Sequence, residues 1–325
     1  MYSWPDLVDK DVNITRIFFE ESSVKDADIT LNASVFTVFL CLLFGGNGVA
    51  MKLGFTGLGP FTSAGIRFSM AATALFLWAW YKKIPLTLDK RQWQLILIQS
   101  VLFTFQLSCF HIGLARTTAS HGALISNVLP FVVLILAHFF IPGDRITLKK
   151  SVGVLLGFIG VILLFFDAPG LNSDLQKGDM IILCAVISWS VSAVFVKRII
   201  AGFHVIQITL YPMVFGIPFL FMMGLLWDDP MVLSVTPTVV KALFFQSFVA
   251  TAFGFVAWNT LLQRYGATAL HSFIFIIPLS GVFLGVMVLD EPVTPHLLAS
   301  VGFIVAGILV VNIRKRKKIS VFPCP

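Results

Sequence analysis

Ten long apolar runs constrain this chain more than any other feature of its sequence. Each run has about the 20 residues that a helix needs to cross a bilayer, and turn residues such as Gly57–Pro60 and Asp228–Pro230 separate them. Because backbone groups in hydrocarbon must be hydrogen-bonded within the chain, the runs predict helices and not isolated strands. The predicted spans lie near residues 33–53, 61–81, 94–114, 119–140, 149–166, 180–200, 204–226, 239–262, 267–289 and 296–313.

The composition agrees with a membrane protein and excludes other classes. Of the 325 residues, 58% are hydrophobic and 12% are charged, whereas a soluble domain has about 25% charged residues. A soluble chain of this length could not hide so much apolar surface in one core, and disordered, collagen-like and disulfide-stapled proteins have other compositions. The sequence therefore predicts an all-α polytopic membrane protein with ten transmembrane helices.

The lysines and arginines predict the orientation of the helices. If the amino terminus is cytoplasmic, fifteen of these residues beyond the amino-terminal segment fall at cytoplasmic loops and helix ends, and four fall on the opposite side. Cytoplasmic loops of membrane proteins carry such an excess of positive charge. We therefore predict a multi-pass protein of the cell inner (plasma) membrane with both termini in the cytoplasm.

The two ends of the chain are predicted to be cytoplasmic tails of opposite charge. Residues 1–31 contain seven acidic residues, and residues 314–325 begin with the basic sequence RKRKK. The net charge of +7 could suggest a nucleic-acid partner. However, the basic cluster directly follows the last apolar run, which is typical of a membrane flank beside lipid headgroups. We therefore predict contact with the bilayer and no nucleic-acid binding.

The two halves of the chain resemble each other, which predicts an internal repeat over residues 32–166 and 178–313. The turn at 144–147 aligns with the turn at 291–294 at an offset of 147 residues. Because each half has five spans, the second half is inverted relative to the first. Inverted five-helix repeats are typical of secondary transporters, which bind substrate near the midplane between the repeats.

Two acidic turns and the glycine-rich spans after them carry a resemblance to a known family. The turns are Gly143–Thr147 and Asp290–Thr294, and each follows a proline-containing span. In these features the chain resembles the EamA-type members of the drug/metabolite transporter superfamily, which have two five-helix repeats that end in this way. Trp189–Lys197 resembles the stretch that opens the family's repeat, and Arg67–Phe68 resembles the arginine of its second helix.

The chain departs from the family pattern at three positions. Asp144 replaces the usual Glu of the first turn, Asp290 replaces the usual Gly of the second, and Phe44 stands where Trp is common. The resemblance covers roughly residues 33–313. It implies the two-repeat fold and a transport function, and it leaves the substrate open because family members carry amino acids, sugars, nucleotides and drugs.

Polar and aromatic residues inside the spans are the candidates for a substrate-binding site. An unpartnered polar group costs several kcal/mol in hydrocarbon, so such residues either pair within the protein or face a cavity. Asn47 lies among three glycines, where helix packing and ligand binding are both open, and Arg67 could either reach outward or bind a substrate anion. The candidate substrate-binding residues are Asn47, Arg67, Gln106, Asn127, Trp189 and Tyr211.

Prolines and titratable residues complete the predicted site. Pro130 and Pro278 lie at nearly matching places and are predicted to bend their helices, as hinges, cavity walls or plain packing kinks. All acidic residues fall in tails, loops or helix ends, so no buried carboxylate is predicted as an ion carrier. Asp290 and Glu291 are interpreted as a turn and a helix cap, and His121 is interpreted as solvated.

The leading hypothesis is a secondary active transporter and not an enzyme. It would export small amphipathic metabolites such as amino acids or drugs by alternating access, through rocking of the two five-helix halves. A membrane-embedded enzyme or lipid-handling protein is the alternative, and a hydrogen-bonded His/Asp pair would favour it. No cofactor or metal is predicted, because the sequence has no Walker loop, HExxH motif or clustered metal ligands. The expected partners are a small-molecule substrate, the lipid bilayer and, as an open alternative, a second copy in a homodimer.

Overall fold

The computed structural model describes residues 30–140, 148–165, 173–271 and 273–312, which contain ten helices, and two of these, α4 and α8, are divided into segments. The two predicted tails and the turn Gly143–Thr147 lie largely or wholly outside these ranges. The helices are α1 Leu31–Phe55, α2 Pro60–Tyr81, α3 Lys90–Arg116, α4a Ala119–Ser126, α4b Leu129–Phe140, α5 Leu148–Phe165, α6 Ser173–Ile199, α7 Val205–Trp227, α8 (Pro237–Phe244, Phe245–Phe253 and Gly254–His271), α9 Ile276–Leu289 and α10 Pro295–Asn312.

Several of these helices are long and apolar enough to cross a membrane. The longer ones are Leu31–Phe55, Lys90–Arg116, Ala119–Leu136, Asp174–Gly202, Val205–Trp227 and Pro237–Leu262, and the shorter apolar ones are Ser151–Leu164, Ile276–Leu289 and Pro295–Val311. Large apolar side chains such as Phe76, Phe219 and Phe283 are exposed on the outside of the bundle. Such a surface suits contact with lipid hydrocarbon. The prediction of an all-α polytopic membrane protein is confirmed.

Helix breaks lie at matching places in the two halves, within α4 and before α9. α4a is followed by Asn127 and Val128, and α4b begins at Leu129. Residues 273–275 form a turn before α9. Pro130 and Pro278 therefore lie in the first turns of α4b and α9, where a missing backbone N–H breaks no helical bond. The sequence places both prolines in the middle of their spans, where each would remove a helical donor, and this expectation is wrong because each helix break precedes its proline.

α8 departs from a regular α-helix over nine residues, Phe245–Phe253, which form a π-helix. π-helical turns are rare, and they are frequent at functional sites. After this segment α8 continues to His271. It therefore passes through the place near residues 262–267 where the sequence predicts a boundary between the eighth and ninth spans.

The helices of the two halves are interleaved, and they do not form two separate bundles. α5 packs along α10, α2 along α7, and α4 against α9, so these helices meet their repeat counterparts. α3 packs on α6 and α7, and correspondingly α8 packs on α1 and α2. These main packing pairs are unchanged when each helix is exchanged for its counterpart in the other half. Such packing is expected of inverted repeats, and the repeat bounds 32–166 and 178–313 stay a prediction.

Glycines let α5 and α10 approach at backbone distance. A Cβ atom built on Gly153 would lie 2.7 Å from the carbonyl oxygen of Gly307, and one built on Gly307 would lie 2.6 Å from the carbonyl oxygen of Gly153. Gly160 of α5 meets the carbonyl oxygen of Ser300 in the same way, at 3.0 Å. Small residues at a helix interface are the usual means of such close packing in membranes.

Candidate functional site

The helix bundle has two ends, which we call the Glu291 end and the Lys83 end after one loop residue of each. The Glu291 end contains the loop residues 56–59, 117–118, 228–236 and 290–294, and the Lys83 end contains the loop residues 82–89 and 200–204. The orientation predicted from the basic residues places the Lys83 end in the cytoplasm.

Arg67 is a buried cation within the bundle. The residue is 2% exposed, its Nε donates to Thr251 Oγ1 of α8 over 2.7 Å, and its guanidinium carbon lies 5.0 Å from the centroid of the Phe68 ring. It stands seven positions after Pro60, about 10 Å along α2 at about 1.5 Å per residue. The side chain therefore does not reach out to the helix end, and α8 holds it in place.

Polar side chains from three helices surround this cation, and we call Ser63, Arg67, His111, Gln246 and Thr251 the polar centre. Ser63 precedes Arg67 by one turn of α2. Gln246 Nε2 donates to the carbonyl oxygen of Ala50 in α1 over 2.9 Å. A Cβ atom on Gly54 would lie 3.2 Å from Gln246 Nε2 and 3.3 Å from Ser63 Oγ. The absence of a side chain at this glycine therefore leaves room for both polar groups against α1.

His111 of α3 faces the same region through an aromatic wall. The residue is fully buried, and its ring centroid lies between 6.1 and 6.5 Å from three aromatic centroids, those of Phe55, Phe68 and Phe110. Phe68 is the ring that also contacts the Arg67 guanidinium. Apolar surface and polar groups therefore meet at one place, as in many small-molecule sites.

Several buried atoms at or near the polar centre have no hydrogen-bond partner among the described residues. These atoms are Asn47 Oδ1, Ser63 Oγ, Gln106 Oε1, His111 Nε2 and Gln246 Oε1. Buried polar atoms nearly always have a partner, and each unmade bond costs about 1–3 kcal/mol. Three of the five are amide oxygens, which can only accept. The region therefore combines a fixed cation with acceptors that a bound N–H group could satisfy.

A second internal repeat, which was not among the sequence-based predictions, underlies this site. The pattern Q-S-x3-T begins at Gln246 in α8 and at Gln99 in α3, at the same offset of 147 residues that relates the acidic turns. It ends at Thr251 in one copy and at Thr104 in the other. Two identical polar patterns at the offset of the repeat, both inside apolar spans, could have identified these residues as equivalent buried positions in the two halves.

The two copies of the pattern have different partners, which makes the site one-sided. Gln99 exchanges hydrogen bonds with Ser192 of α6 over 2.9 and 3.3 Å, and Thr104 lies against Gly216 of α7. In the α8 copy the glutamine keeps an unpaired oxygen, and the threonine accepts from a guanidinium. The amide of Gln99 in α3 is thus hydrogen-bonded within the protein through both its nitrogen and its oxygen, whereas Gln246 in α8 has an oxygen that is available to a ligand.

Two of the predicted residues lie beside the polar centre on α1 and α3. Asn47 precedes Ala50, the acceptor of Gln246, by one turn, and its Nδ2 lies 3.6 Å from Met51 Sδ. Gln106 is 4% exposed and precedes His111 by five residues, about 7.5 Å toward the Lys83 end at about 1.5 Å per residue. Both residues therefore lie on helices that form or adjoin the polar centre, and their substrate-binding roles stay predictions.

The other predicted residues lie farther from the polar centre. Asn127 ends α4a, and its Nδ2 donates to a carbonyl oxygen of that helix over 2.7 Å. Trp189 of α6 meets the ring of Phe110. The Tyr211 hydroxyl donates to the carbonyl oxygen of Leu86 at the Lys83 end. The predicted substrate-binding roles of these residues, and the hinge or cavity role of the prolines, stay predictions.

Glu291 caps a helix of the other half. Its carboxylate accepts from the backbone N–H groups of Ala119 and Ser120 over 2.6 and 2.9 Å, and from the Ser120 hydroxyl. A carboxylate at this position satisfies free donors and interacts favourably with the helix dipole. The interpretation of Glu291 as a helix cap is confirmed, although the helix is α4a and not the following α10. Asp290 ends α9 in the left-handed region at φ 53°.

Two further side chains at the Glu291 end join helix termini across the bundle. Asp228, after α7, accepts from the backbone N–H and the hydroxyl of Thr62 at the start of α2, over 2.6 and 2.8 Å. Lys52, near the end of α1, donates to the carbonyl oxygens of Leu114 and Thr117 at the end of α3, over 3.2 and 2.7 Å. Charged groups thus satisfy both donor and acceptor ends of helices here.

A buried carboxylate also lies at the Glu291 end, inside α6. The helix begins at Ser173 and not near residue 180, so Asp179 lies within it and is 0% exposed. Its Oδ2 lies 2.9 Å from Nδ1 of His121, which is 5% exposed, and its Oδ1 accepts from the Thr117 hydroxyl over 2.5 Å. The predictions that every carboxylate lies outside the spans and that His121 is solvated are wrong. The early start of the helix was hidden by its polar first turns.

The chain is similar to transporters from bacteria. It is 23% identical over 274 residues to the uncharacterized transporter YoaV of Bacillus subtilis (strain 168), which covers 83% of this chain and 93% of the relative. It is 25% identical over 297 residues to a probable amino-acid metabolite efflux pump of Escherichia coli (strain K12), which covers 88% and 97%. One crystal structure of a protein shares the fold, with a TM-score of 0.66 at 15% identity over 86% of this chain and 96% of that one.

A family model matches the chain twice. The model of the EamA-like transporter family covers residues 31–166 and again residues 176–313, so each match contains one set of five helices. Together the matches include nearly every described residue and both copies of the Q-S-x3-T pattern. The chain belongs to the EamA-like transporter family.

Proposed function

We propose that this protein is a secondary active transporter that exports small amphipathic metabolites of the amino-acid class by alternating access. The observation that carries the proposal is the polar centre, where the buried guanidinium of Arg67 lies close to amide oxygens that have no partner among the described residues. Family membership and the efflux-pump relatives support transport and its outward direction.

The chemistry of the polar centre fits a zwitterion. Arg67 can bind a carboxylate through the guanidinium nitrogens that do not face Thr251. The oxygens of Asn47 and Gln246 can accept from an ammonium group, which is a donor only. The aromatic wall beside His111 offers apolar surface to a side chain. Each part of an amino acid thus meets a group of matching chemistry.

The energy for transport comes, in this proposal, from a gradient or from exchange. The sequence contains no Walker-type phosphate loop. The two predicted repeats, 32–166 and 178–313, provide related arrangements of helices that can alternate around a fixed site. Residence in the plasma membrane with both termini cytoplasmic completes the proposal, and reporter fusions at each terminus test that orientation.

Substrate exchange in vesicles tests the proposal. The purified full chain is placed in liposomes loaded with unlabelled amino acids, and uptake of an external radiolabelled amino-acid mixture is followed. We expect exchange by the wild type. Gln246→Met removes one acceptor from the polar centre, and we expect a rise in KM of about tenfold, equal to about 1.4 kcal/mol.

The repeat counterpart provides the control. Gln99→Met removes the same amide from α3, where it is paired with Ser192, so we expect lower thermal stability and an unchanged KM. Absence of exchange by folded wild-type protein would overturn the proposed function. Equal effects of the two glutamine substitutions on KM would contradict the role of the polar centre in substrate binding.

The alternative function, a membrane-embedded enzyme, is expected to show a hydrogen-bonded His/Asp pair, and this condition alone is met. A hydrogen-bonded His/Asp pair is present, formed by His121 and Asp179. However, general base catalysis needs the histidine within reach of a nucleophile or a water on an accessible substrate. Here both side chains are at most 6% exposed, and the second carboxylate oxygen accepts from Thr117. The pair is enclosed by helices, which favours the transporter proposal over hydrolytic chemistry.

A further inference from the structure

We propose that the His121–Asp179 pair is the proton-binding site that couples transport to a proton gradient. This inference rests on the proposed transport function and adds the coupling ion to it. The pair lies apart from the polar centre, so substrate and proton would occupy different places in the molecule.

The burial of the pair is the first argument. Asp179 is fully buried and His121 is 6% exposed at its side chain. An ionisable residue inside a membrane helix is expensive to keep and usually belongs to an ion or proton pathway. Imidazole and carboxylate are also the two side-chain types that exchange protons most readily near neutral pH.

The position of the pair between helices is the second argument. Asp179 belongs to α6, His121 to α4a, and Thr117 follows the end of α3. The three side chains therefore join one helix of the second half to two regions of the first. Any opening of the Glu291 end that separates α4a from α6 must break the 2.9 Å contact and expose both groups to water. The occupancy of the pair by protons is thereby linked to a conformational change.

The charged groups around the pair come from every neighbouring element. Lys52 of α1 is bonded to the carbonyl oxygen of Thr117, and Glu291 is bonded to the two residues that precede His121. Arg116, at the end of α3, meets Gly178 through its backbone and Cβ atoms, and the residue is exposed. Within α6 the ion pair of Asp174 and Lys177 is exposed. Groups of both positive and negative charge therefore surround the pair, and the region does not repel a proton through an excess of positive charge.

The proposed step is a simple proton transfer with no change of oxidation state. When the Glu291 end opens, the pair separates and one proton from the medium binds to the carboxylate oxygen of Asp179 or to the imidazole nitrogen of His121. When this end closes, the imidazole and the carboxylate rejoin and displace the proton into the interior of the bundle, from which it leaves once the opposite end opens. One proton then enters for each substrate molecule that leaves.

The experiment compares two modes of transport in the same vesicles. Exchange of a radiolabelled amino-acid mixture against unlabelled amino acids needs no net proton movement. Uptake of the mixture into vesicles with an acidic lumen needs proton efflux, which a pH-sensitive dye in the lumen records. We expect wild-type protein to show both. We expect Asp179→Asn to retain exchange and to lose at least tenfold of the uptake driven by the pH gradient.

Control variants separate coupling from packing. Asp174→Asn changes an exposed carboxylate on the same helix, so we expect both modes to stay unchanged. Thr117→Val removes the other hydrogen bond to Asp179 and keeps the titratable pair, so we expect gradient-driven uptake to remain. If Asp179→Asn does not fold, His121→Gln, which keeps an uncharged donor, takes its place in the same comparison.

Each possible result of this experiment either supports the inference or overturns it. Gradient-driven uptake that persists in Asp179→Asn or His121→Gln overturns the inference and leaves the transport function intact. The same holds if the wild type exchanges substrate without any response to the gradient, or if the folded variants lose both modes together. Absence of exchange by the wild type overturns the proposed function and the inference with it.

Discussion

At the scale of single residues, Arg67 shows how a charge is kept inside a membrane helix. Its desolvation is offset by a hydroxyl from another helix and by the face of Phe68. The oxygens of Gln246 and Asn47 have no hydrogen-bond partner among the described residues. A site that is incomplete without a ligand in this way has free energy available for binding one.

Loss of the hydroxyl that orients Arg67 is expected to weaken substrate binding. Thr251→Val removes the acceptor of the 2.7 Å bond from Nε while keeping the shape of the side chain. A hydrogen bond to a charged group contributes about 1.5–3 kcal/mol, so we expect KM for amino-acid exchange to rise about tenfold or more. Thr104→Val, at the counterpart position against Gly216, is expected to leave KM within about twofold. A similar rise in both variants would contradict this role for Thr251.

The residue-scale site was partly predictable from the sequence. Asn47, Arg67 and Gln106 were predicted because polar groups deep in apolar spans need partners, and their roles in substrate binding stay predictions. Gln246 and Thr251 were not selected, although their repeat counterparts in α3 marked them. Asp179 could not be recognised, because a helix that begins with polar turns looks like a loop until its packing is known.

At the scale of elements, carboxylates from loops of one half cap helices of the other. Glu291 caps α4a and Asp228 caps α2, both at the Glu291 end. The acidic turn that resembles the family motif therefore has a structural role, because its carboxylate caps the amino-terminal end of a helix that is distant in sequence. The sequence could predict a cap, but not which helix receives it, because that depends on the interleaved packing.

Removal of the Glu291 carboxylate is expected to destabilise the protein. Glu291→Ala leaves two backbone donors of α4a unpaired, so we expect a loss of about 2 kcal/mol in the free energy of unfolding, measured by thermal denaturation in detergent. Asp290→Gly, next to it, is the control. Because Asp290 has a φ of 53°, where glycine is unstrained, we expect equal or slightly higher stability. A neutral effect of Glu291→Ala would contradict the capping role.

The seam between α5 and α10 is expected to tolerate no side chain at its glycines. Gly307→Leu would drive a Cβ to within 2.6 Å of the Gly153 carbonyl oxygen, so we expect a loss of several kcal/mol from overpacking and a clear fall in thermal stability. Gly302, on the same helix, has no atom within 4 Å of the position that a Cβ would take. Gly302→Leu is therefore expected to change stability little, and equal losses in both variants would argue against the seam.

At the scale of the whole molecule, interleaving changes the expected motion. The repeats predicted from the sequence favour rocking of one five-helix half against the other. However, one of the two main apolar clusters is built mainly from α4, α5, α9 and α10 with residues of α1, α3 and α6, and the other is built from α2, α3, α7 and α8. Each group draws helices from both halves. Movement of such mixed groups past each other fits this packing better than movement of the two halves as rigid bodies.

The interleaved fold predicts that the two halves remain together without a covalent link. A site for a sequence-specific protease is inserted within residues 166–172, and the purified protein is cleaved in mild detergent. Because α5–α10, α2–α7 and α3–α6 contacts all join the halves, we expect the cleaved protein to elute as one particle by size exclusion and to retain amino-acid exchange after reconstitution. Gly307→Leu is expected to lower the thermal stability of the cleaved protein more than that of the intact chain, whereas Gly302→Leu is expected to change neither. Separation of the unsubstituted halves on cleavage would show that each repeat is an independent unit, and it would restore the rocking of halves as the simpler mechanism.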